Sequence, residues 1–132
     1  VRIQVSVSTM NEEFARIIEP RVASPKSRLG IISAAKQKGL KTGIIIAPVF
    51  PPVKIRPDVA GDIEDIVSEL TKDRPDYIYG EALHIRGSNI KEVEIALDEE
   101  IKLYGFDLTA EKIFYSILNR YGFKGRWWKE HK

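Results

Sequence analysis

Nine consecutive residues in the second half of the chain bring several chemical functions together. The segment Glu81-Ala82-Leu83-His84-Ile85-Arg86-Gly87-Ser88-Asn89 supplies a carboxylate, an imidazole base and a glycine-bearing turn into a helix N-terminus, where backbone N–H groups bind anions. We therefore predict a substrate-side role for Glu81, Arg86 and Asn89. A structural alternative is that Glu81 pairs with Arg86 while Asn89 caps the next helix. Neither His84 nor His131 stands at a metal-ligand spacing from other donors, so we expect no metal site.

Two arginines in the first third of the chain could hold a carboxylate. Arg21 belongs to Glu19-Pro20-Arg21, where the fixed φ angle of proline orients its neighbours, and Arg28 follows on the next helix. A guanidinium binds a carboxylate through two parallel hydrogen bonds. The alternative is a solvated surface ion pair, which contributes little energy. The hydroxyls of Ser6 and Ser8 could bind a polar ligand, or they could simply fit a tight interior.

The C-terminal tail, residues 121–132, interleaves basic and aromatic side chains. Such segments stack aromatic rings on unpaired bases while their cations meet phosphates. On this basis, the residues predicted to contact nucleic acid are Lys124, Arg126, Trp127 and Trp128. The alternative is that Phe123 and the two tryptophans pack onto the last helix and leave the cations solvated.

The elements that must position these residues are strands that alternate with helices, the pattern of parallel βαβ units. The first strand, residues 1–8, alternates between an apolar face and a polar face that contains Gln4, Ser6 and Ser8. The second, residues 42–48, is almost continuously apolar, which is typical of a strand buried on both faces of a parallel sheet. A third strand is predicted at residues 77–83.

Helices are predicted at residues 25–38, 58–72, 90–104 and 109–120. Ser24 and Pro25 form a typical helix start, Gly39 is a typical end, and Thr109 is the expected N-cap of the last helix. About three parallel strands with flanking helices, plus the C-terminal helices, predict an α/β fold, a partial TIM-type (β/α) barrel. Chemistry in such barrels lies at the C-terminal ends of the strands.

The order of these segments resembles the second half of a radical S-adenosylmethionine (SAM) barrel. Four segments carry the resemblance: the strand that ends in Val5-Ser6-Val7-Ser8-Thr9, then Glu19-Pro20-Arg21, then Ser24-Pro25-Lys26-Ser27-Arg28-Leu29, and the strand that ends in Ala47-Pro48. Within that superfamily the chain is most similar to the spore photoproduct lyase-like group, often called DNA repair photolyases. That group has Glu-x-Leu-Asn-x-Arg-Gly-x-Asn segments, in which His84 here replaces the Asn. The match covers most of the chain.

The resemblance implies a set of cofactor contacts. Gly43-x-Ile45-x-Ala47 is similar to the Gly-x-Ile-x-Gly strand that lies against the adenine of SAM, with Ala47 in place of the second glycine. Ile45 would therefore cover the adenine, while Ser8 and Arg21 would contact the ribose or the amino-acid end of SAM. In the intact parent, SAM and a [4Fe-4S] cluster would support radical chemistry, and the group name suggests cleavage of a thymine photodimer.

The chain contains no cysteine, although the cluster of this superfamily needs thiolate ligands. The resemblance therefore implies that residues 1–132 are the C-terminal half of such a barrel, inactive by itself, whose partner is the missing N-terminal half. We expect this fragment to carry no cofactor alone. A hypothesis of a different class is a nucleic-acid-binding module, in which the half barrel only supports the basic and aromatic tail.

Composition limits the remaining possibilities. A chain of 132 residues, 43% of them hydrophobic, has room for one domain of ordinary size. With 21 basic against 19 acidic residues, the net charge of +2 does not by itself indicate nucleic-acid binding. We see no membrane-spanning run and no leader, and expect a cytoplasmic protein. Because half a barrel leaves a strand edge and inward-facing side chains uncovered, we also expect a homo-oligomer.

Overall fold

Four parallel strands form one sheet, and their order across the sheet is their order along the chain. The computed structural model describes residues 2–84 and 89–129. Its strands are β1 (Arg2–Val7), β2 (Lys41–Val49), β3 (Tyr77–Ala82) and β4 (Arg126–Trp128). Because consecutive parallel neighbours are the repeating unit of a (β/α) barrel, the predicted α/β partial barrel is confirmed. β4 is an addition to the three predicted strands.

The helices are α1 (Glu12–Ile18), α2 (Pro25–Gln37), α3 (Val59–Leu70), α4 (Asn89–Leu97) and α5 (Phe106–Arg120). Side-chain caps fix where three of them begin. Asn11 accepts from the N–H of Phe14, and Ser24 accepts from the N–H of Ser27. Asp58 does the same for α3. The predicted start of α2 at Ser24-Pro25 is therefore confirmed, and its physical basis is a satisfied first-turn N–H group.

The predicted end of α4 and the predicted start of α5 were wrong, whereas the predicted end of α5 at Arg120 is confirmed. α4 ends at Leu97 rather than at residue 104, because Asp98 adopts a left-handed φ of 53° that a helix cannot continue. α5 begins at Phe106, behind Gly105 with a φ of 72°, rather than after an N-cap at Thr109. Phe106 is buried in the main core, and this packing favours a helix start before Thr109.

The two faces of the sheet differ as the alternation in β1 predicts. Val5 and Val7 are buried on the outer face, where the helices pack, whereas Gln4 and Ser6 are exposed on the inner face. The main core lies between the outer face and α2, α3 and α5, and it includes Ile32, Ile44, Ile46, Ile66, Ile78 and Phe114. The inner face, which would line the interior of a closed barrel, is open.

A second, smaller core lies beyond the C-terminal ends of the strands. Phe14 of α1 and Phe50 after β2 meet edge to face, with ring centroids 5.2 Å apart, and Val53, Leu83 and Ile101 pack around them. This cluster joins α1 to the segments that follow β2 and β3. It therefore fixes the end of the sheet at which barrel chemistry is expected.

Candidate functional site at the C-terminal ends of the strands

A cavity of about 250 Å³ lies at the end of β1, between α1 and the start of α2. Ser8 and Thr9 of the strand end, Glu19, Ser24 and Arg28 belong to its wall. Glu12 and Arg16 of α1 also line it, so the cavity combines hydroxyls, two carboxylates and two guanidiniums at a strand end where a (β/α) barrel places its ligands.

Arg28 and Arg16 line this cavity, and Arg21 does not. The Nη1 atom of Arg28 donates to the backbone oxygen of Ser6 at 2.7 Å, and its Nη2 atom forms an ion pair with Glu19. Only 13% of the Arg28 side chain is exposed. Arg21 is exposed and lies outside the wall of the cavity. The Glu19-Pro20-Arg21 segment thus directs Glu19 toward Arg28 rather than placing both of its own charges on a ligand.

Ser8 and Thr9 occupy fixed positions at the end of β1. The hydroxyl of Ser8 donates to the backbone oxygen of Ala47 at 2.9 Å, which ties β1 to β2. The hydroxyl of Thr9 donates to Asp62 of α3, and the N–H of Met10 donates to the other carboxylate oxygen at 2.8 Å. Ser8 retains oxygen lone pairs that can accept a hydrogen bond from a ligand.

Asp62 also faces a buried arginine that the sequence analysis missed. Arg56 is 4% exposed; its Nε atom lies 3.2 Å from Asp62, and its Nη2 atom donates to the backbone oxygen of Phe50 at 2.7 Å. Burial lowers the pKa of Arg56, and the neighbouring carboxylates of Asp62 and Asp58 oppose that shift. This network connects the end of β1, the segment after β2 and α3, and so holds the cavity wall in place.

A sequence signal for this network exists. Asp62 falls at helical spacing among the apolar residues Val59, Ile63 and Ile66, on the face that α3 buries. A carboxylate in such a stripe must find a partner, because a buried unpaired charge is costly. The partner Arg56 lies in an irregular segment, where periodicity gives no information.

The inner face of β2 carries Ile45, the residue predicted to cover adenine. Ile45 is half-buried and lies in register between Ser6 of β1 and Tyr79 of β3. Gly43 is covered: a Cβ atom there would fall 1.9 Å from the Tyr77 ring, whose hydroxyl donates to Gln4 at 2.7 Å. The close approach that glycine permits is therefore used by a tyrosine of the same chain.

The predicted substrate-side segment contributes a cluster at the end of β3. The Nε2 atom of His84 lies 3.8 Å from Glu81 and 3.9 Å from Asp107 of α5, and its ring stands edge-on to Trp128 at 5.4 Å. Asn89 is the first residue of α4, and its side-chain amide donates to the backbone oxygen of His84 at 3.1 Å. The prediction for Arg86 lies outside the described residues.

Within the tail, Arg126–Trp128 form the strand β4. Trp127 is 5% exposed, its indole N–H donates to Asp107 at 2.8 Å, and its ring lies 5.2 Å from Phe114. Gly80 of β3 makes room, since a Cβ atom there would come within 2.8 Å of that indole. Trp127 is therefore unavailable for stacking on bases in this structure. The other predicted residues, Lys124, Arg126 and Trp128, are exposed, and their binding role stays a prediction.

Metal sites and membrane-spanning helices are two further features that bear on function. Within residues 2–84 and 89–129, no three His, Cys, Asp or Glu side chains form a group that could hold a metal ion. Within the same ranges, no helix has both the length and the apolar character needed to cross a bilayer.

Comparison with known sequences identifies related but longer proteins. No protein-family model matches the chain. An uncharacterised protein of Acidianus two-tailed virus, ORF301, is 46% identical over 131 residues, which are 98% of this chain and 44% of that protein. An uncharacterised Mycobacterium tuberculosis protein is 26% identical over 88 residues, which are 67% of this chain and 25% of that protein. The chain thus spans less than half the length of these relatives.

Comparison with solved structures relates the fold to an enzyme. The structure of a spore photoproduct lyase C140S mutant superposes with a TM-score of 0.68 over 96% of this chain and 43% of the enzyme chain. The two sequences are 11% identical over that match, so the similarity concerns the fold. The chain therefore has a partial-barrel fold that is similar to part of spore photoproduct lyase.

Proposed function

We propose that this chain is the SAM-facing and substrate-facing part of a radical SAM enzyme of the spore photoproduct lyase-like group, with a cytoplasmic location. One observation carries the proposal: almost the whole chain superposes on spore photoproduct lyase, yet it accounts for less than half of that enzyme. A viral relative of more than twice the matched length supports the same conclusion, because it offers room for the rest of a barrel.

The inner face of the sheet suits a flat, polar-ended ligand such as SAM. Ile45 is a branched apolar side chain on an open face, and the nearby cavity wall presents Ser8 and the guanidinium of Arg28. Ile45 would cover the adenine, and Ser8 would contact the ribose or the amino-acid end. The carboxylate of SAM would pair with Arg21, as the resemblance implies, or with Arg28, which lines the cavity. Bound SAM supplies radical chemistry in such enzymes.

The chain does not suit the iron–sulfur cluster that accompanies SAM in this superfamily. Such clusters are held by cysteine thiolates, and the sequence has none. The cluster ligands must therefore come from another part of the parent protein or from a second chain. This requirement makes the missing half of the barrel an obligate partner of the proposed activity.

The cluster at the end of β3 is the substrate side of this proposal. Glu81, Arg86 and Asn89 would bind the substrate, and repair of a DNA photoproduct is the activity that the name of the structural relative suggests. Trp128 and Glu81 are register partners, so β4 adds an exposed ring next to this cluster. The ring gives the substrate side an aromatic surface suited to a planar base.

The test begins with the coding sequence on either side of this segment. We expect a Cys-x3-Cys-x2-Cys stretch there or in a chain that copurifies with it. The assembled protein, reconstituted anaerobically with iron and sulfide, should absorb at about 400 nm, as such clusters do, and should bind SAM by equilibrium dialysis. Ile45→Trp should lower the SAM affinity at least tenfold. The control Leu108→Trp, on an exposed helix position, should not change the affinity.

Two results would contradict the proposal. One is the lack of any thiolate-rich stretch in the parent or in its partners. The other is SAM binding that Ile45→Trp leaves intact.

As a separate chain, this segment is proposed to self-associate through its inner face. Tyr79 and Trp128 on that face are 42% and 45% exposed. The two edge strands of the sheet are partly protected. In β1, Arg28 donates to the backbone oxygen of Ser6, and in β4 the N–H of Trp127 donates to the hydroxyl of Tyr115. Light scattering should give a mass above 15.0 kDa, and Tyr79→Ser with Trp128→Ser should return the monomer. A monomeric wild-type chain would contradict this proposal.

A further inference from the structure

Positive charge is concentrated at the edge of the sheet where the strands begin, opposite the candidate site. Arg2 and Lys41 are the first residues of β1 and β2. The loops that enter β2, β3 and β4 add one exposed cation each that forms no described ion pair, because Lys72 in the loop before β3 pairs with Glu69. The resulting set, called the basic edge below, consists of Arg2, Lys38, Lys41, Arg74 and Lys124.

The charges of the basic edge are exposed and not neutralised by carboxylates. All five side chains are exposed, and none forms an ion pair within the described part of the chain. The nearby carboxylates are engaged elsewhere. Asp76 accepts from the N–H of Thr42 at 2.6 Å and pairs with Lys36 at 3.2 Å, while Asp73 accepts from the hydroxyl of Ser33. The edge therefore presents a positive field even though the whole chain is nearly neutral.

The cations follow the sheet from one side to the other. Arg2 and Lys41 are register partners, so their backbones lie side by side. Three inter-strand spacings separate β1 from β4, about 14 Å in all. Duplex DNA carries one phosphate charge per roughly 1.7 Å of its axis. A duplex laid along this edge would present several phosphates to the five cations.

Contacts within the loops hold part of the edge in a fixed arrangement. The guanidinium carbon of Arg74 lies 3.8 Å from the centroid of Phe123, and its Nη2 atom donates to the backbone oxygen of Gly122 at 2.8 Å. The loop before β3 is thereby joined to the loop before β4. Phe123 is buried beneath Arg74 and cannot stack on a base.

We propose that the basic edge binds the phosphate backbone of a nucleic acid without reading its base sequence. Cations without exposed rings contact phosphates and leave the base edges unread. A lipid surface fits less well, because no large apolar side chain is exposed in these described loops and interfacial binding needs buried apolar area. The inference goes beyond the proposed function, since the basic edge lies at the opposite end of the strands from the SAM and substrate residues.

The test compares two variants of the full chain that lose the same charge. Lys38→Gln, Lys41→Gln and Lys124→Gln together neutralise three of the five cations of the basic edge and leave the arginine contacts intact. The control neutralises Lys91, Lys102 and Lys112, which are exposed on or between α4 and α5. Binding of a fluorescent duplex DNA and of an unrelated duplex is measured by anisotropy between 50 and 200 mM salt. Circular dichroism melting verifies that both variants are folded.

We expect the wild-type chain to bind both duplexes equally. The edge variant should lose at least tenfold in affinity. Its slope of log K against log salt should become shallower by about 2 to 3, because each of the three lost phosphate contacts contributes about 0.9 to that slope. The control should stay within twofold of the wild type. Three results would overturn the proposal: no duplex binding at 50 mM salt, equal losses in both variants, or binding to phosphatidylserine vesicles without binding to DNA. None of these results depends on SAM or on an iron–sulfur cluster.

Discussion

The two ends of the same parallel sheet are built in opposite ways. At the C-terminal ends of the strands, a second apolar core and the buried pair Arg56–Asp62 fix the wall of a cavity. At the N-terminal ends, short turns carry exposed cations, and Lys38, Arg74 and Lys124 among them pair with no described carboxylate. The difference shows that one end is built to hold a small site in place, whereas the other end presents charge to the solvent.

Connection length explains much of this difference. The segment between β1 and α2 is long enough to contain α1, and residues 50–58 separate β2 from α3. These long connections fold back over the strand ends, so that side chains from several elements converge. The connections at the other end, residues 38–40, 71–76 and 121–125, only reverse the chain direction. Their polar side chains remain in water.

The largest effect is expected from Arg56→Met at the C-terminal end. The change leaves the carboxylate of Asp62 buried without its cation, which costs about 3 kcal/mol or more of unfolding free energy. Urea unfolding followed by circular dichroism measures this cost. The matched control is Arg120→Met, which removes an exposed ion pair with Glu64 and should cost less than about 1 kcal/mol. Equal costs would mean that the C-terminal end is no more firmly held than the surface.

A smaller loss is expected from Gly43→Ala near the start of β2. The new methyl group would collide with the Tyr77 ring and break its hydrogen bond to Gln4, at a cost of roughly 1 to 3 kcal/mol. The control is Gly30→Ala in α2, where no atom lies within 4 Å of the new methyl group. That change should raise stability by about 0.5 to 1 kcal/mol. Thermal melts of both variants would show shifts of opposite sign.

A pH-dependent effect is expected from Asp76→Asn at the N-terminal end. The N–H of Thr42, and then Lys36, lower the pKa of Asp76 in the folded chain. A lowered pKa stabilises the fold above the unfolded-state pKa, and this stabilisation is lost as the pH falls through the folded-state pKa. The variant should therefore be less stable than the wild type at about pH 7, and the difference in unfolding free energy should shrink as the pH falls through the lowered folded-state pKa of Asp76.

Urea unfolding at several pH values tests this prediction. Glu100→Gln removes an exposed carboxylate near the other end and should change stability by less than about 0.5 kcal/mol throughout. A stability difference for Asp76→Asn that grows on acidification would contradict the assigned role of Asp76.

The smallest effect on stability is expected from neutralising Lys38, Lys41 and Lys124. These side chains are exposed and form no described ion pair, so the triple glutamine variant should stay within about 0.5 kcal/mol of the wild type. Denaturant unfolding, measured alongside the DNA-binding assay, separates a role of these lysines in DNA binding from a role in stability. A large loss of stability would show that the basic edge serves the fold and would remove the contrast between the two ends.

The fold was largely predictable from local patterns, and the candidate site was not. Alternation in residues 1–8 gave the correct faces of β1, and Ser24-Pro25 gave the start of α2. The fourth strand was missed because three residues, Arg126–Trp128, are too few for a period to appear. Their place in the sheet depends on Gly80, which lies far away in the sequence.

The sequence by itself determined the alternation of strands and helices, the apolar faces and the absence of thiolate ligands, because each follows from residue type and short-range spacing. Only the tertiary structure decided which distant groups meet. Glu19 pairs with Arg28 rather than with its neighbour Arg21. Asp62 accepts a hydrogen bond from Thr9 and forms an ion pair with Arg56. Such contacts depend on where the backbone turns and on which polar side chains are buried and therefore require a partner. Periodicity contains neither kind of information.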